Sequence, residues 1–190
     1  LHGLRISLLV GVLGTLIAMF AGTALGLIAG YTRNWLDACI MRFADIQLAF
    51  PSILIAMFLM ALWGQGVEKI IIAIAMVHWV IYARLVRGRI LAESEKEYIM
   101  AIRALGAGCI RILIRHLLPN VATTILVVSA IEFSSIVMLE ATLSFLGLGV
   151  PRTQPSLGML IQFGYEDFFS GNWWTWLFPG MTLVILILLI

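Results

Sequence analysis

"EKEYIMAIRALGAGCIRILIRHLLPN", residues 95–120, lies between two long apolar runs, and its reading decides the fold. It is too polar and too broken by glycine to cross a bilayer, yet its residues recur at helical spacings. Over 95–109, Ala101, Ala104, Ala107 and Gly108 fall on one side of a helix, which leaves that side nearly bare of bulk. Gly106 and Gly108 then disfavour further helix. A second amphipathic turn is expected next. Arg111 and Arg115 share one face, while Ile110, Leu113, Ile114, Leu117 and Leu118 supply apolar contacts. Pro119 is expected to stop that helix and Asn120 to cap the following one. The interval thus reads as a short helix, a hinge and an interface helix leading into a span.

The flanking sequence is that of a membrane protein. Of 190 residues, 62% are hydrophobic and only 12% charged, with a mean hydropathy of +1.07, whereas soluble domains carry about a quarter charged residues. Apolar segments are marked at 6–31, 48–63, 70–85 and 121–146, and a further one begins at 176. Each must be helical, because backbone in lipid has to satisfy its own hydrogen bonds. The expected fold is therefore all-α and integral to the membrane, with 1–190 as a single transmembrane domain. The last run reaches Ile190 before the roughly 20 residues a span needs, so the chain reads as a piece of a longer one. No signal-peptide pattern, internal repeat, low-complexity tract or soluble domain is found.

Orientation follows from the basic residues. Arg84, Arg87, Arg89, Lys96, Arg103, Arg111 and Arg115 are seven of the twelve Lys and Arg in the chain. Short loops rich in Lys and Arg stay cytoplasmic. Residues 86–120 are then inside, as is the first connection with Arg33 and Arg42. The turn "GQGVEK" and the loop 147–175 are outside; that loop carries Arg152, Glu166 and Asp167 and ends at an interfacial belt of Trp173, Trp174 and Trp176. Cys39 and Cys109 are far apart, lack metal-ligand spacing and read as free thiols. The net charge of +2 gives no case for a nucleic-acid partner.

In the first segment Gly14, Ala18, Gly22, Gly26 and Gly30 recur every four residues. Such a smooth stripe suits close helix packing, or movement against a neighbour. Pro51 marks the start of the second segment or a kink in it. Within the spans, Glu132 and Glu140 lie about 80° apart around one helix. Carboxylates in a span are costly and should face the bundle or a watery path. Glu132, Ser135 and His78 are read either as lining such a path or as bonded packing residues; Glu140 is read as structural. Asp45 is expected to pair with Arg42. No catalytic constellation, metal-ligand cluster or cofactor loop is found, so neither enzyme activity nor a cofactor is expected.

The residues leave two readings of 95–120 open: a surface helix whose arginines meet anionic headgroups, or a small-faced helix, with Leu105, that fits a groove on a cytoplasmic partner. Here the stretch "EYIMAIRALGAG…HLLPN" resembles the cytoplasmic loop motif of ATP-binding-cassette importer permeases. Ala101, Gly106, Leu118 and Pro119 match that motif, whereas Met100, Ile102 and His116 depart from it. "GLIAGY", "DACIMRFADIQLAFPSILIA", "ARLVRGRIL" and "EATLSFLGLGVPRTQPSLGML" resemble the oligopeptide, dipeptide and nickel branch of those permeases, with Leu157 where the branch usually has Trp.

The resemblance implies five of an expected six transmembrane helices, the N-terminal helix and the end of the last one lying beyond this sequence. It also implies a cytoplasmic coupling helix. The residues meeting a separate ATPase would be Glu97, Ala101, Arg103, Ala104, Leu105, Gly106, Ala107, Gly108, Leu118 and Pro119. The implied protein is an inner-membrane permease subunit for small peptides. Its implied partners are a second, homologous permease, two ATPase subunits and an extracytoplasmic solute-binding protein. Nickel or another small solute is the alternative cargo. A self-sufficient secondary transporter with an ion site near Glu132, or a purely structural scaffold, is the alternative class. No phosphate-binding GxxxxGK[ST] loop occurs in the chain.

Overall fold

The computed structural model describes residues 2–151, 153–166 and 171–190, and every regular element among them is helical. Arg152 and Asp167 lie outside the described residues. The elements are α1 (His2–Thr32), α2 (Trp35–Leu48), α3 (Ser52–Trp63), α4 (Val67–Glu93), α5 (Glu97–Ala104), α6 (Cys109–Ile112), a π-helical turn (Leu113–Leu117), α7 (Leu118–Phe145), α8 (Leu157–Glu166) and α9 (Trp174–Leu188).

Three of these helices are long and apolar enough to cross a membrane: Gly3–Thr32, Val67–Glu93 and Cys109–Phe145. The expected second span is not one unbroken helix. Pro51 stands at the N-terminus of α3 and, lacking an N–H, separates it from α2. α3 alone has 12 residues, too few to cross; joined to α2 it makes a broken span at most, which brings the count to four. Helix α9 is an apolar helix of 15 residues. The loop at 147–175 holds a helix, α8, that the sequence reading did not anticipate.

The expected stop at Pro119 does not occur, since Cys109–Phe145 is a continuous helix of 37 residues. A proline inside an α-helix collides with the carbonyl four residues earlier. Here the turn just before it is widened, so the Leu118 N–H donates to the Leu113 carbonyl five residues back, and π-type turns relieve this kind of crowding. Asn120 caps nothing. Its side-chain amide donates to the His116 carbonyl at 2.9 Å.

Packing gathers the residues into two compact units. One consists of Leu1–Ile17, Phe50–Val77 and Ala130–Ile190; the other consists of Ala18–Ala49 and His78–Ser129. In the first unit, Val10, Met60, Ile70, Ile74, Ile136 and Leu143 form a dry core. The corner after α7 turns at Gly147 (φ +76°), with the Leu148 N–H donating to the Leu143 carbonyl at 2.9 Å. Gln65 donates to the Gly147 carbonyl at 2.8 Å, tying the α3–α4 turn to this corner.

Beneath the corner sits Glu140, fully buried. Its two carboxyl oxygens accept from the Ser7 hydroxyl at 2.8 Å and the Ser144 hydroxyl at 2.7 Å. Ser7 in turn accepts from the Leu157 N–H at 3.2 Å. One carboxyl thus joins α1, α7 and the start of α8. Glu140→Leu is expected to lower stability by about 2–4 kcal/mol, because it strands two buried hydroxyls. Glu140→Gln keeps an acceptor and should fall between. Thermal unfolding of the purified protein in detergent checks the order.

In the second unit α2 lies along α4. Asp37 accepts from the Arg87 guanidinium at 2.8 Å, and Trp79 donates to Gln47 at 3.0 Å while its ring stacks on Phe43 at 5.9 Å. Asp45 pairs with Arg84, not with Arg42 as expected: Ala44, Val80 and Ala83 pack closely enough to bring the facing helix within reach. Arg33 closes the end of α1, donating to the buried Ser94 hydroxyl at 2.8 Å and the Leu91 carbonyl at 3.2 Å.

The glycines of the α1 stripe meet bulk or backbone at each position. A Cβ at Gly14 would stand 3.3 Å from Ile136, and Ala18 is fully buried. Next to α4 the approach is closer. A Cβ at Gly22 would stand 2.6 Å from the Tyr82 Cβ, one at Gly26 2.6 Å from the Ala83 carbonyl oxygen, and one at Gly30 2.9 Å from Ile90.

Candidate functional site

The surface with the most unusual exposure is the loop between α4 and α7. Helix α5 ends in a Schellman motif. Leu105 is its C-cap, Gly106 follows with φ +80°, the Gly106 N–H donates to the Arg103 carbonyl at 2.9 Å, and the Ala107 N–H donates to the Ile102 carbonyl at 3.3 Å. Only glycine adopts that left-handed backbone without strain. The motif ends the helix sooner than the spacing of small residues suggested: Ala101 and Ala104 are on α5, while Ala107 and Gly108 belong to the extended link to α6.

The base of the loop is held firmly. Ile99 is fully buried. The Tyr98 hydroxyl donates to Glu93 at 2.6 Å and accepts from the Asn120 amide at 2.9 Å, so it connects the end of α4 to the start of α7. Burial pushes the Tyr98 phenol up, and its hydrogen bond to Glu93 acts in the same direction. Lys96 pairs with Glu93 at 2.8 Å, and the Arg103 guanidinium lies 5.6 Å from the centre of the Tyr31 ring.

The tip is the opposite. Leu105 is 87% exposed, and Met100 on α5 is also exposed. Glu97, Ala101, Arg103, Ala104, Gly106 and Gly108 are all exposed and Ala107 half-buried. A Cβ at Gly106 or at Gly108 would meet nothing within 4 Å. Past the hinge, Ile112 and Leu117 are buried, but Ile110 (72% exposed) and Ile114 (61%) point outward instead of supplying the contacts expected of them. Leu118 is half-buried and Pro119 exposed. The ten loop residues picked from the motif are thus mostly on one accessible element. Exposed Met100, Ile110 and Ile114 belong beside them, as does the Tyr98–Asn120 pair. The apolar three were visible as bulky residues in a polar loop, whereas the pair spans 22 positions and leaves no local signal.

Of the residues proposed for a path, His78 belongs to the second unit, and Glu132 and Ser135 belong to the first. Glu132 and His78 are buried. Ser135 lines a cleft of about 380 Å³ with Ser134, Met138 and Ile187, and its hydroxyl donates to the Ile131 carbonyl at 3.3 Å. Cys39 and Cys109 are free and exposed. Among the described residues no group of three His, Cys, Asp or Glu could hold a metal.

The family described as "Binding-protein-dependent transport system inner membrane component" matches residues 22–190. The dipeptide transport system permease protein DppC of Alkalihalophilus pseudofirmus is 40% identical over 98% of this chain and 61% of its own length. The di/tripeptide transport system permease protein DppC of Pseudomonas aeruginosa is 37% identical over 100% of this chain and 62% of its own length. The glutathione transport system permease protein GsiD of Pectobacterium atrosepticum is 39% identical over 88% and 56%. The chain therefore spans about three fifths of the length of these relatives. The fold is that of a solved chain from inward-facing conformations of the MetNI methionine ABC transporter, with a TM-score of 0.81 at 21% identity, over 98% of this chain and 88% of that one.

Proposed function

The chain belongs to the family of binding-protein-dependent transport system inner membrane components, and from that premise we propose that it is a permease subunit of an ATP-driven importer of small peptides, driven by a separate ATPase that grips residues 97–108. The observation that carries the coupling part is the contrast within one short helix: Leu105 is 87% exposed while Ile99, six residues earlier, is fully buried. A side chain like Leu105 on a firmly based, small-faced helix is what an apolar cleft in a partner would bind. Peptide as cargo rests on the relatives, two of which are named for dipeptides or di- and tripeptides. The remaining partners would be a second, homologous permease, a pair of ATPases and an extracytoplasmic solute-binding protein meeting the 147–175 loop.

In this reading ATP-driven closure of the ATPase pair pulls on α5. The pull reaches α4 and α7 through two attachments, Tyr98 to Glu93 and Asn120 to Tyr98. Reversing an inward-to-outward ratio from 1:99 to 99:1 takes about 5.5 kcal/mol of differential affinity, so the grip must be tight and the attachment stiff.

The test is co-purification and uptake with the full-length permease and the subunits encoded beside it. The ATPase is expected to co-purify in stoichiometric amount, and to be lost when residues 97–108 are scrambled. Labelled dipeptide should enter vesicles only with ATP inside, and nickel should not. ATP-independent uptake would instead indicate a secondary transporter.

A further inference from the structure

In the second unit an apolar groove of about 430 Å³ runs between α1 and the start of α7, walled by Met19, Phe20 and Leu27 on one side and Leu118, Ala122 and Leu126 on the other. Phe20 and Leu126 are exposed, and the Thr23 hydroxyl, buried in the α1 wall, has no hydrogen-bond partner among the described residues. On the α7 side the apolar line continues past the groove at intervals of four, through exposed Ile114 and Ile110. Beside those two stand Arg111 and Arg115, both exposed, and neither meets a carboxylate among the described residues. At about 1.5 Å per residue the two guanidinium-bearing positions lie roughly 5–10 Å along the helix from Leu118.

An acyl-sized channel with two free cations at its end matches one kind of ligand. We propose that this groove holds an anionic phospholipid, one acyl chain between α1 and α7 and the headgroup phosphate on Arg111 and Arg115. A transmembrane helix, from another protein or from a part of this one beyond the sequence, would fill the groove as well, but an apolar helix would leave both arginines without a counter-charge. Guanidinium groups pair with phosphate through parallel N–H donors, so a phosphodiester held in place is the better complement. The site rests on the orientation proposed above only for the leaflet that supplies the lipid, and it does not depend on the cargo.

The experiment uses the assembled full-length transporter in nanodiscs of mixed phosphatidylglycerol and phosphatidylcholine, followed by gentle extraction and measurement of the lipid that stays bound. Phosphatidylglycerol should be retained in preference. Each cation near a charged membrane contributes roughly a fivefold preference, so R111Q/R115Q should cut the enrichment by roughly twenty-five-fold. R111K/R115K should keep a good part of it, and Ala122→Trp, which plugs the groove but leaves both arginines, should also abolish retention. Equal retention of the two lipids by the parent, or unchanged enrichment in R111Q/R115Q, overturns the site. A crosslink from position 122 to another subunit, or to a segment of this protein that precedes the sequence, with no lipid retained does so too. Should R111Q/R115Q fail to assemble, Ala122→Trp alone decides. Dipeptide uptake measured in parallel separates failure of this site from failure of the transport reading.

Discussion

Leucine in place of Gly26 is expected to leave little or no folded protein in the membrane. The reason is the approach of two backbones, not the loss of a side chain. A single Cβ at this position already stands 2.6 Å from the Ala83 carbonyl oxygen and 2.9 Å from the Val86 Cβ. Neither neighbour is a flexible side-chain end that could swing aside, so α1 and α4 would have to separate. Between membrane helices the association is driven by close packing, since lipid offers no hydrophobic gain. A separation therefore forfeits contact along the whole seam from Gly22 to Gly30. Overpacking a rigid core by a few carbons costs about 1–3 kcal/mol, and Gly26→Leu exceeds that. The expectation is graded along the stripe. Gly14→Ala, whose Cβ would have 3.3 Å to a side-chain methyl of Ile136, should be tolerated. Gly26→Ala should lower the unfolding temperature, and Gly26→Leu should be recovered only as aggregate. Size-exclusion profiles of the detergent-extracted variants, measured at equal expression, check the order.

The spans were legible because lipid imposes one requirement, length and apolarity together, that a sequence displays openly. The break between α2 and α3 was not. Asp37, Arg42, Asp45 and Gln47 make α2 look like a loop, yet three of these four side chains, Asp37, Asp45 and Gln47, face Arg87, Arg84 and Trp79 on another helix. Such pairings depend on which helices meet, and no local pattern records that. Arg42 was the nearest cation in sequence to Asp45, and Arg84 is the nearest in space. Proline 119 misled for a different reason. The rule that proline ends a helix assumes α geometry just before it, and the turn Leu113–Leu117 has π geometry instead. The loop itself was half legible. Glycine at 106 marked the helix end, as its left-handed backbone shows, but the outward aim of Ile110 and Ile114 follows from how α6 continues into α7, and that continuation rests on the same π turn.

Two substitutions at the tip of the loop are expected to abolish uptake while leaving the permease folded, and together they separate grip from shape. Leu105→Glu removes the most exposed large apolar side chain of the loop. Burying a leucine in a partner contributes about 1.5–3 kcal/mol, and a carboxylate driven into the same cleft adds a desolvation cost. The ATPase should then bind at least tenfold more weakly, with an unfolding temperature within a degree or so of the parent, since this side chain touches almost nothing in the chain itself. Gly106 needs a subtler design, because its φ of +80° penalises any ordinary side chain whatever the partner does. Asparagine tolerates that backbone better than other residues. Gly106→Asn therefore keeps the Schellman turn while placing bulk where a Cβ now meets nothing within 4 Å. If the cleft of an ATPase closes over this spot, Gly106→Asn lets ATP be hydrolysed without peptide moving, and Gly106→Ala, strained but small, retains more transport than Gly106→Asn. If the turn matters only as a helix end, the order inverts: Gly106→Asn transports normally and Gly106→Ala is the weaker of the two. The ratio of peptide imported to ATP consumed in sealed vesicles reads the difference directly.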